Sequence, residues 1–424
     1  MDRYFLEHLT QLGEVQSVRA FEDIKSAQGI KLIARGTEIN RSHLERLLQH
    51  KLLKPIDNSL IIADQLSVTQ LKYYALKSLD DSPNLRLLIH GLSDISMIMD
   101  YFSSLLLSRF LANKMTIMQK CLPNQFTHSL WVALMNLLIG NICRMSLTDM
   151  HYLASIGLFH DLGTLHIDPH IFDESKCLSF MQWKQVYAHP IIGCLILKEQ
   201  QELPPAISRA VLEHHERIDG SGYPRQLKAP HLSRLGRITA IAETIMGISR
   251  KGSCEYLITI LKSDINKLDK EIVELLCHAF YQINLIGLAG RIHHTFSPVP
   301  MNEMKQTLKM AETISLIFVG WDSLLNEGLQ QNFDQLINTI DDLHHILDRA
   351  GISVLDTTTS VRQYEQDLPA FIEASMLLRE TIYHLNRIIR ITSRSMIDQS
   401  ISYPGLTDWL QNSLQRLTLF NEYS

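Results

Sequence analysis

Cysteine is sparse in this chain, and none of it stands in a pairing motif. The six residues Cys121, Cys143, Cys177, Cys194, Cys254 and Cys277 are scattered through 424 positions with no Cys-x-x-Cys. Such spacing excludes a disulfide framework and reads as reduced thiols of a cytosolic protein, most of them small core residues. An excess of positive charge is also missing. The formal charge is −5 and the isoelectric point near 6.4, which argues against a protein whose business is coating a nucleic acid polymer. The first residues, Met1 to His8, hold no basic segment followed by an apolar run, so no secretory signal is expected. A long apolar run is lacking throughout. The best candidate, Ile95 to Leu111, is broken by Asp100 and Arg109 and bounded by Lys114. It is expected to form one amphipathic, mostly buried helix, not a membrane span. The expected setting is cytoplasmic, with no membrane partner. No internal repeat is visible.

What is present divides the chain. A length of 424 residues is long for one core and suggests two to four domains. Residues 1–63 read as a small β-containing module. Phe21 to Gly36 resembles two short strands around a Gln28-Gly29 turn, and a helix follows from Ser42 with Leu44, Leu47 and Leu48 on one face, closed by Pro55. Residues 64–120 read as a helical connector, broken at Asp80-Asp81-Ser82-Pro83, a natural turn and cap. Residues 121–285 hold the chemistry. Residues 286–424 are expected to be helical, with turns at Pro298-Pro300, Ala350-Gly351, Pro369 and Pro404. Phe333, Leu336, Ile337, Ile340, Leu343 and Leu347 form one apolar stripe there, and Leu378, Ile382, Leu385 and Ile389 another. Such helices make a bundle, a dimer interface or a surface for a signalling partner. The fold class expected is mostly α.

The central region carries a series of metal-type residues: His160-Asp161, His189-Pro190, His214-His215-Glu216-Arg217, Asp219-Gly220-Ser221-Gly222-Tyr223-Pro224, and Glu243. Upstream, a helix beginning near Pro123 puts His128, Val132 and Met135 on one face. By itself His128 reads as a partly buried helix histidine. The next helix, Thr148 to His160, is started by Ser146 and Asp149 as a capping box, and Leu153, Ile156, Gly157 and His160 recur at helical spacing. A lone imidazole followed by a lone carboxylate would be costly to bury there. A metal pair resolves the cost, since Asp161 offers two oxygens that can bridge two ions; a salt-bridged Asp161 beside a core histidine is the alternative. His189-Pro190 is expected to close one helix and open another, at a rigid corner. A helix starting at Pro204-Pro205 aligns Ile207, Val211 and His215. His214 and His215 diverge by roughly 100° on an ideal helix, so both serve one centre only if they reach different metals or the helix frays. The pairs His293-His294 and His344-His345 have no such company and read as surface histidines.

In that order these motifs resemble the HD-GYP family, the branch of the HD phosphohydrolases that hydrolyses cyclic di-GMP. His128-Ser129-Leu130-Trp131 resembles its first histidine motif. The resemblance implies an HD-type helical domain. It also implies two divalent ions, iron or manganese, held by His128, His160, Asp161, His189, His214, His215 and Glu243. Those ions would bridge and deprotonate a water. His160 and Asp161 would be the catalytic pair, and Tyr223, Arg217, Gly222 and Thr164 would face the substrate. The implied activity is a bacterial second-messenger phosphodiesterase giving pGpG or GMP. Three positions depart from the family: Glu243 stands for the usual Asp, Thr164 for the usual Lys, and Asn124 for the Glu that holds a third metal in some members. Threonine cannot supply a cation to a phosphate, and Asn124 favours a two-metal site. The other readings are a degenerate domain that binds cyclic di-GMP or a partner without turnover, and an HD hydrolase of another phosphoester.

Overall fold

A computed structural model describes residues 3–172, 180–249, 257, 261, 264–289, 301–326, 333–353, 356–364, 368–398 and 403–418. Cys177, Cys254, the His293-His294 pair and the Pro298-Pro300 turn lie outside the described residues. The chain divides into two units, 1–284 and 285–424.

The first unit opens with α1 (Arg3–Leu12), which buries Phe5, Leu6, Leu9 and Leu12 at helical spacing. Strand β1 (Val18–Ala20) pairs antiparallel with β4 (Leu60–Ile62), and β2 (Ile24–Lys25) with β3 (Lys31–Ile33). Gly29, at φ 83, makes the turn between β2 and β3. Helix α2 (Leu44–Gln49) buries Leu47. A helical layer follows: α3 (Val68–Ser78), α4 (Pro83–Leu92), α5 (Ile95–Ser103) and α6 (Arg109–Cys121). The single helix expected over Ile95–Leu111 is thus two. Ser108 stops the run because its side chain caps a new helix, accepting from the backbone N–H of Leu111. No helix among the described residues is long and apolar enough to cross a membrane.

Among the described residues, five helices follow: α7 (Pro123–Ile142), α8 (Leu147–Phe159), α9 (Phe180–Lys198), α10 (Pro205–Glu213) and α11 (Arg234–Ser249). Helices α7 and α8 are apolar on nearly every face because other helices surround them. The buried Asn136 of α7 ties three of them, donating to the Leu153 carbonyl on α8 at 3.1 Å and to Thr239 Oγ1 on α11 at 3.2 Å. Helix α12 (Lys270–Ala289) comes after.

The second unit is wholly helical among its described residues: α13 (Met301–Asn326), α14 (Asp334–Arg349), α15 (Thr357–Arg362), α16 (Leu368–Asp398) and α17 (Pro404–Leu417). Leu336, Ile340, Leu343 and Leu347 of α14 and Leu378, Ile382, Leu385 and Ile389 of α16 are buried with Phe318 and Trp321 of α13 in one core. Both stripes are therefore used inside this unit. Gly351 takes the left-handed conformation that ends α14.

Candidate metal centre

Three of the histidines are oriented by the same local device. His160 caps the C-terminus of α8, and its Nδ1–H donates to the Gly157 carbonyl at 2.8 Å. His214 caps α10 and donates to the Val211 carbonyl at 2.6 Å. Both carbonyls are in a last turn, where no intrahelical donor is available. His189 is different in origin. The corner expected at His189-Pro190 is absent, and Pro190 lies inside a continuous α9. A proline there lacks the N–H that would serve the Val186 carbonyl. His189 Nδ1–H takes that carbonyl instead, at 2.6 Å. In all three imidazoles Nδ1 therefore carries a proton, and Nε2 points inward.

Those Nε2 atoms converge. His189 Nε2 lies 3.1 Å from His214 Nε2. Two acceptors so close repel unless a cation sits between them. Asp161, at the start of a 3₁₀ turn (Leu162–His166), faces both sides: Oδ1 is 3.3 Å from His189 Nε2, and Oδ2 is 3.5 Å from His160 Nε2. Glu243 of α11 reaches in from opposite, its Oε1 being 3.0 Å from His128 Nε2 and 2.9 Å from His160 Nε2. His189, His214 and His215 form one group of donors within 4.8 Å of one another, and His128, His160 and Glu243 form a second. A third group, His160, Asp161 and His214, joins them. Imidazole nitrogens and carboxylate oxygens grouped in this way suit a divalent transition metal.

The adjacent pair needs no distorted helix. Helix α10 stops at Glu213, so His215 lies beyond it and folds back, its ring 4.1 Å from that of His214. Electrostatics agree with the geometry. Burial, reinforced by His160 and His189, pushes His214 down to about 3 and His215 well below its ordinary value, which keeps both neutral. Burial opposes charge on Asp161 and Glu243, yet the surrounding imidazoles hold both carboxyls well below the usual carboxylate range. Burial likewise disfavours a charged His160, but Asp161 and Glu243 together raise it well above the histidine range.

Packing fixes these parts. A Cβ on Gly163 would come within 2.0 Å of the His189 carbonyl oxygen, so only glycine lets the Asp161 turn lie against α9. A Cβ on Gly222 would come within 2.4 Å of the Arg217 nitrogen, so its task is close approach of the loop to the end of α10. Glu216, fully buried, accepts from the backbone N–H groups of Arg225 at 2.7 Å and Leu227 at 3.0 Å and holds that loop. Glu213 does the same for Ser233 at the start of α11.

Of the residues expected at the substrate, Tyr223 is half-buried with its ring 4.7 Å from that of His215. Burial, with Asp161 and Glu243 nearby, raises its pKa and keeps the phenol protonated. Arg217 sits behind it, donating to the Glu216 carbonyl and Thr244 Oγ1. Thr164 is turned inward, 2% exposed, with its hydroxyl donating to the Asp161 carbonyl at 2.6 Å. Asn124 is exposed on the first turn of α7. His344 is half-exposed and lies 3.6 Å from Asp348, and His345 is exposed. Two groups escaped the sequence reading. Trp183 and Tyr187 of α9 extend the ring contacts outward from Tyr223; their separation of one helical turn, just before His189, was the available signal. Asp57 and His166 cluster around the buried Lys114, far apart in sequence, and no local pattern announces it.

Residues 106–248 match the family model described as an HD domain. A 3'3'-cGAMP-specific phosphodiesterase of Vibrio cholerae is 31% identical over 127 residues, covering 30% of this chain and 27% of that protein. A cyclic di-GMP phosphodiesterase of Borreliella burgdorferi is 27% identical over 159 residues, covering 36% of this chain and 42% of that protein. The chain thus spans less than half the length of these curated relatives. Among solved structures, an HD-GYP-type protein of Bdellovibrio bacteriovorus is 13% identical, covering 63% of this chain and 97% of that one. Its TM-score of 0.33 is too low for the superposition to bear on the site.

Proposed function

We propose that this chain, whose residues 106–248 match the HD domain family model, is a metal-dependent phosphodiesterase acting on cyclic di-GMP. The observation that carries the reading is the pair of facing Nε2 lone pairs on His189 and His214 with Asp161 beside them. His128, His160, Asp161 and Glu243 would hold one ion, and Asp161, His189, His214 and His215 the other. Such ions, iron or manganese by the nitrogen and oxygen donors, would acidify water and neutralise charge on the phosphoryl oxygens. The chain's own residues then have defined parts. The Nδ1–H bonds of His160, His189 and His214 keep each imidazole in one tautomer and one orientation. Asp161 stays ionised and reaches both sides. Tyr223, protonated at the rim, offers a hydrogen bond to a phosphate oxygen.

Relatives of both cyclic di-GMP and 3'3'-cGAMP type leave either dinucleotide as a candidate for the same site. A second reading has its own support. Thr164 supplies no cation and is turned inward, which favours a domain that binds the dinucleotide and signals without turnover, through its helices to a partner or a second copy. One experiment separates them: purified protein is supplied anaerobically with iron or manganese, metal content is determined, and hydrolysis of both dinucleotides is followed on the same sample. Turnover to the linear dinucleotide or mononucleotide that vanishes in Asp161→Ala supports the hydrolase. Bound metal and bound dinucleotide without turnover would leave only the signalling domain.

A further inference from the structure

Rings run in an unbroken series from the candidate metal centre to solvent. His214 contacts His215 at 4.1 Å between centroids, His215 contacts Tyr223 at 4.7 Å, Tyr223 contacts Tyr187 at 4.6 Å, and Tyr187 contacts Trp183 at 5.8 Å. Exposure rises from 0% at His214 to 45% at Tyr187, and Trp183 beyond it is partly buried. Trp183 and Tyr187 stand one turn apart on α9, and Tyr187 is followed two residues later by His189. The same helix therefore positions both the outer rings and an inner imidazole.

Core packing does not explain the outer part. An aromatic placed for packing is normally buried, since its large apolar surface is what makes it useful there. Tyr187 instead presents nearly half its surface beside the rim where Tyr223 stands. We propose that Tyr187, backed by Trp183, is a stacking platform for a nucleobase of the substrate. This rests on the cyclic dinucleotide reading of the same site. A nucleotide whose phosphate lies at Asp161 and the imidazoles extends its base outward by the width of a sugar, and the rings beside that path are Tyr223 and Tyr187. Stacking on an aromatic face is tolerant of base identity because every base has a π face. The platform thus contributes affinity for a purine without choosing guanine over adenine. It touches no reacting atom, so it acts on binding and not on the chemical step.

The test compares full-length wild type with Tyr187→Ala and Tyr187→Phe, using cyclic di-GMP and 3'3'-cGAMP as probes. Dissociation constants come from equilibrium dialysis, and quenching of Trp183 fluorescence is checked against Trp183→Phe. Tyr187→Ala is expected to weaken binding of both dinucleotides by about tenfold, equally within a factor of about two. Metal content and melting temperature should match wild type, and any loss of turnover should appear in KM with kcat retained. Tyr187→Phe keeps the ring and should restore wild-type affinity. An unchanged dissociation constant in Tyr187→Ala overturns the platform, as does a Phe variant as damaged as the Ala one. Wild type that binds neither dinucleotide overturns it too. The two proposals fail separately: binding that depends on Tyr187 without hydrolysis removes the hydrolase and keeps the platform, whereas hydrolysis indifferent to Tyr187 does the reverse.

Discussion

At the scale of single residues, Asp161 and His166 show opposite uses of burial. Asp161 is surrounded by imidazoles that favour its charge, with one oxygen toward His189 and the other toward His160. Replacing it with alanine removes the group common to both sides. Asp161→Ala should lower metal affinity by more than about 100-fold, the upper end of what a supporting residue alone costs, as read by metal content after dialysis. His166, five positions on, is held neutral: burial pushes it down to about 4, and its Nε2 lies 3.1 Å from the Lys114 ammonium. The unfolded chain binds this proton first, near 6.5, while the folded chain resists until about 4. Stability from this group is therefore complete above about pH 6.5 and is lost as the pH falls toward 4. Urea titrations should show wild type losing about 2 kcal/mol more than His166→Leu between pH 7 and pH 4. Equal losses would remove His166 from the account.

At the scale of elements, helix ends and one proline place the nitrogens. The carbonyls of Gly157 and Val211 are available because α8 and α10 stop, and that of Val186 because Pro190 cannot donate. Restoring the N–H in Pro190→Ala lets the helix reclaim the Val186 carbonyl and frees the His189 ring to turn. Metal affinity should drop about tenfold, as measured against a competing chelator. Thermal stability should hold or rise, since alanine suits a helix interior better than proline. A variant that binds metal as wild type does would show that the bond from His189 to Val186 has no part in orientation.

At the scale of the first unit, Lys114 joins segments remote in sequence. It is 1% exposed, lies 3.2 Å from Asp57 Oδ2 and 4.0 Å from the Phe5 ring centre, and reaches His166 on the turn that follows Asp161. The stacked Phe5 and His166 rings, 4.9 Å apart, close the cluster. Lys114→Met keeps the volume but leaves the Asp57 carboxylate without its cation. Such a loss should destabilise the chain by about 3 kcal/mol, and adding Asp57→Asn should recover part of it. If the double variant is no better than the single one, the ion pair is not the source.

Much of this was legible in the sequence because the signals are local. Capping at Ser146 and Ser82, the periodicity of α7, α8 and α10, the Gln28-Gly29 turn and the apolar stripes of α14 and α16 depend on neighbours within a turn or two. The order of His160-Asp161, His214-His215 and Tyr223-Pro224 was likewise visible, as a series of short motifs that resembles a known family. Reading His189-Pro190 as a helix break followed the local preference of proline, and packing of α9 overrode it. Splitting Ile95–Leu111 needed the weight of one serine cap over an apolar run. Tertiary structure alone decided that the His189 and His214 lone pairs meet, that Tyr187 stands against Tyr223, and that Lys114 finds Asp57 and His166. Each of those depends on contacts between helices distant in sequence, whose approach is set by packing and by the absence of a side chain at Gly163 and Gly222.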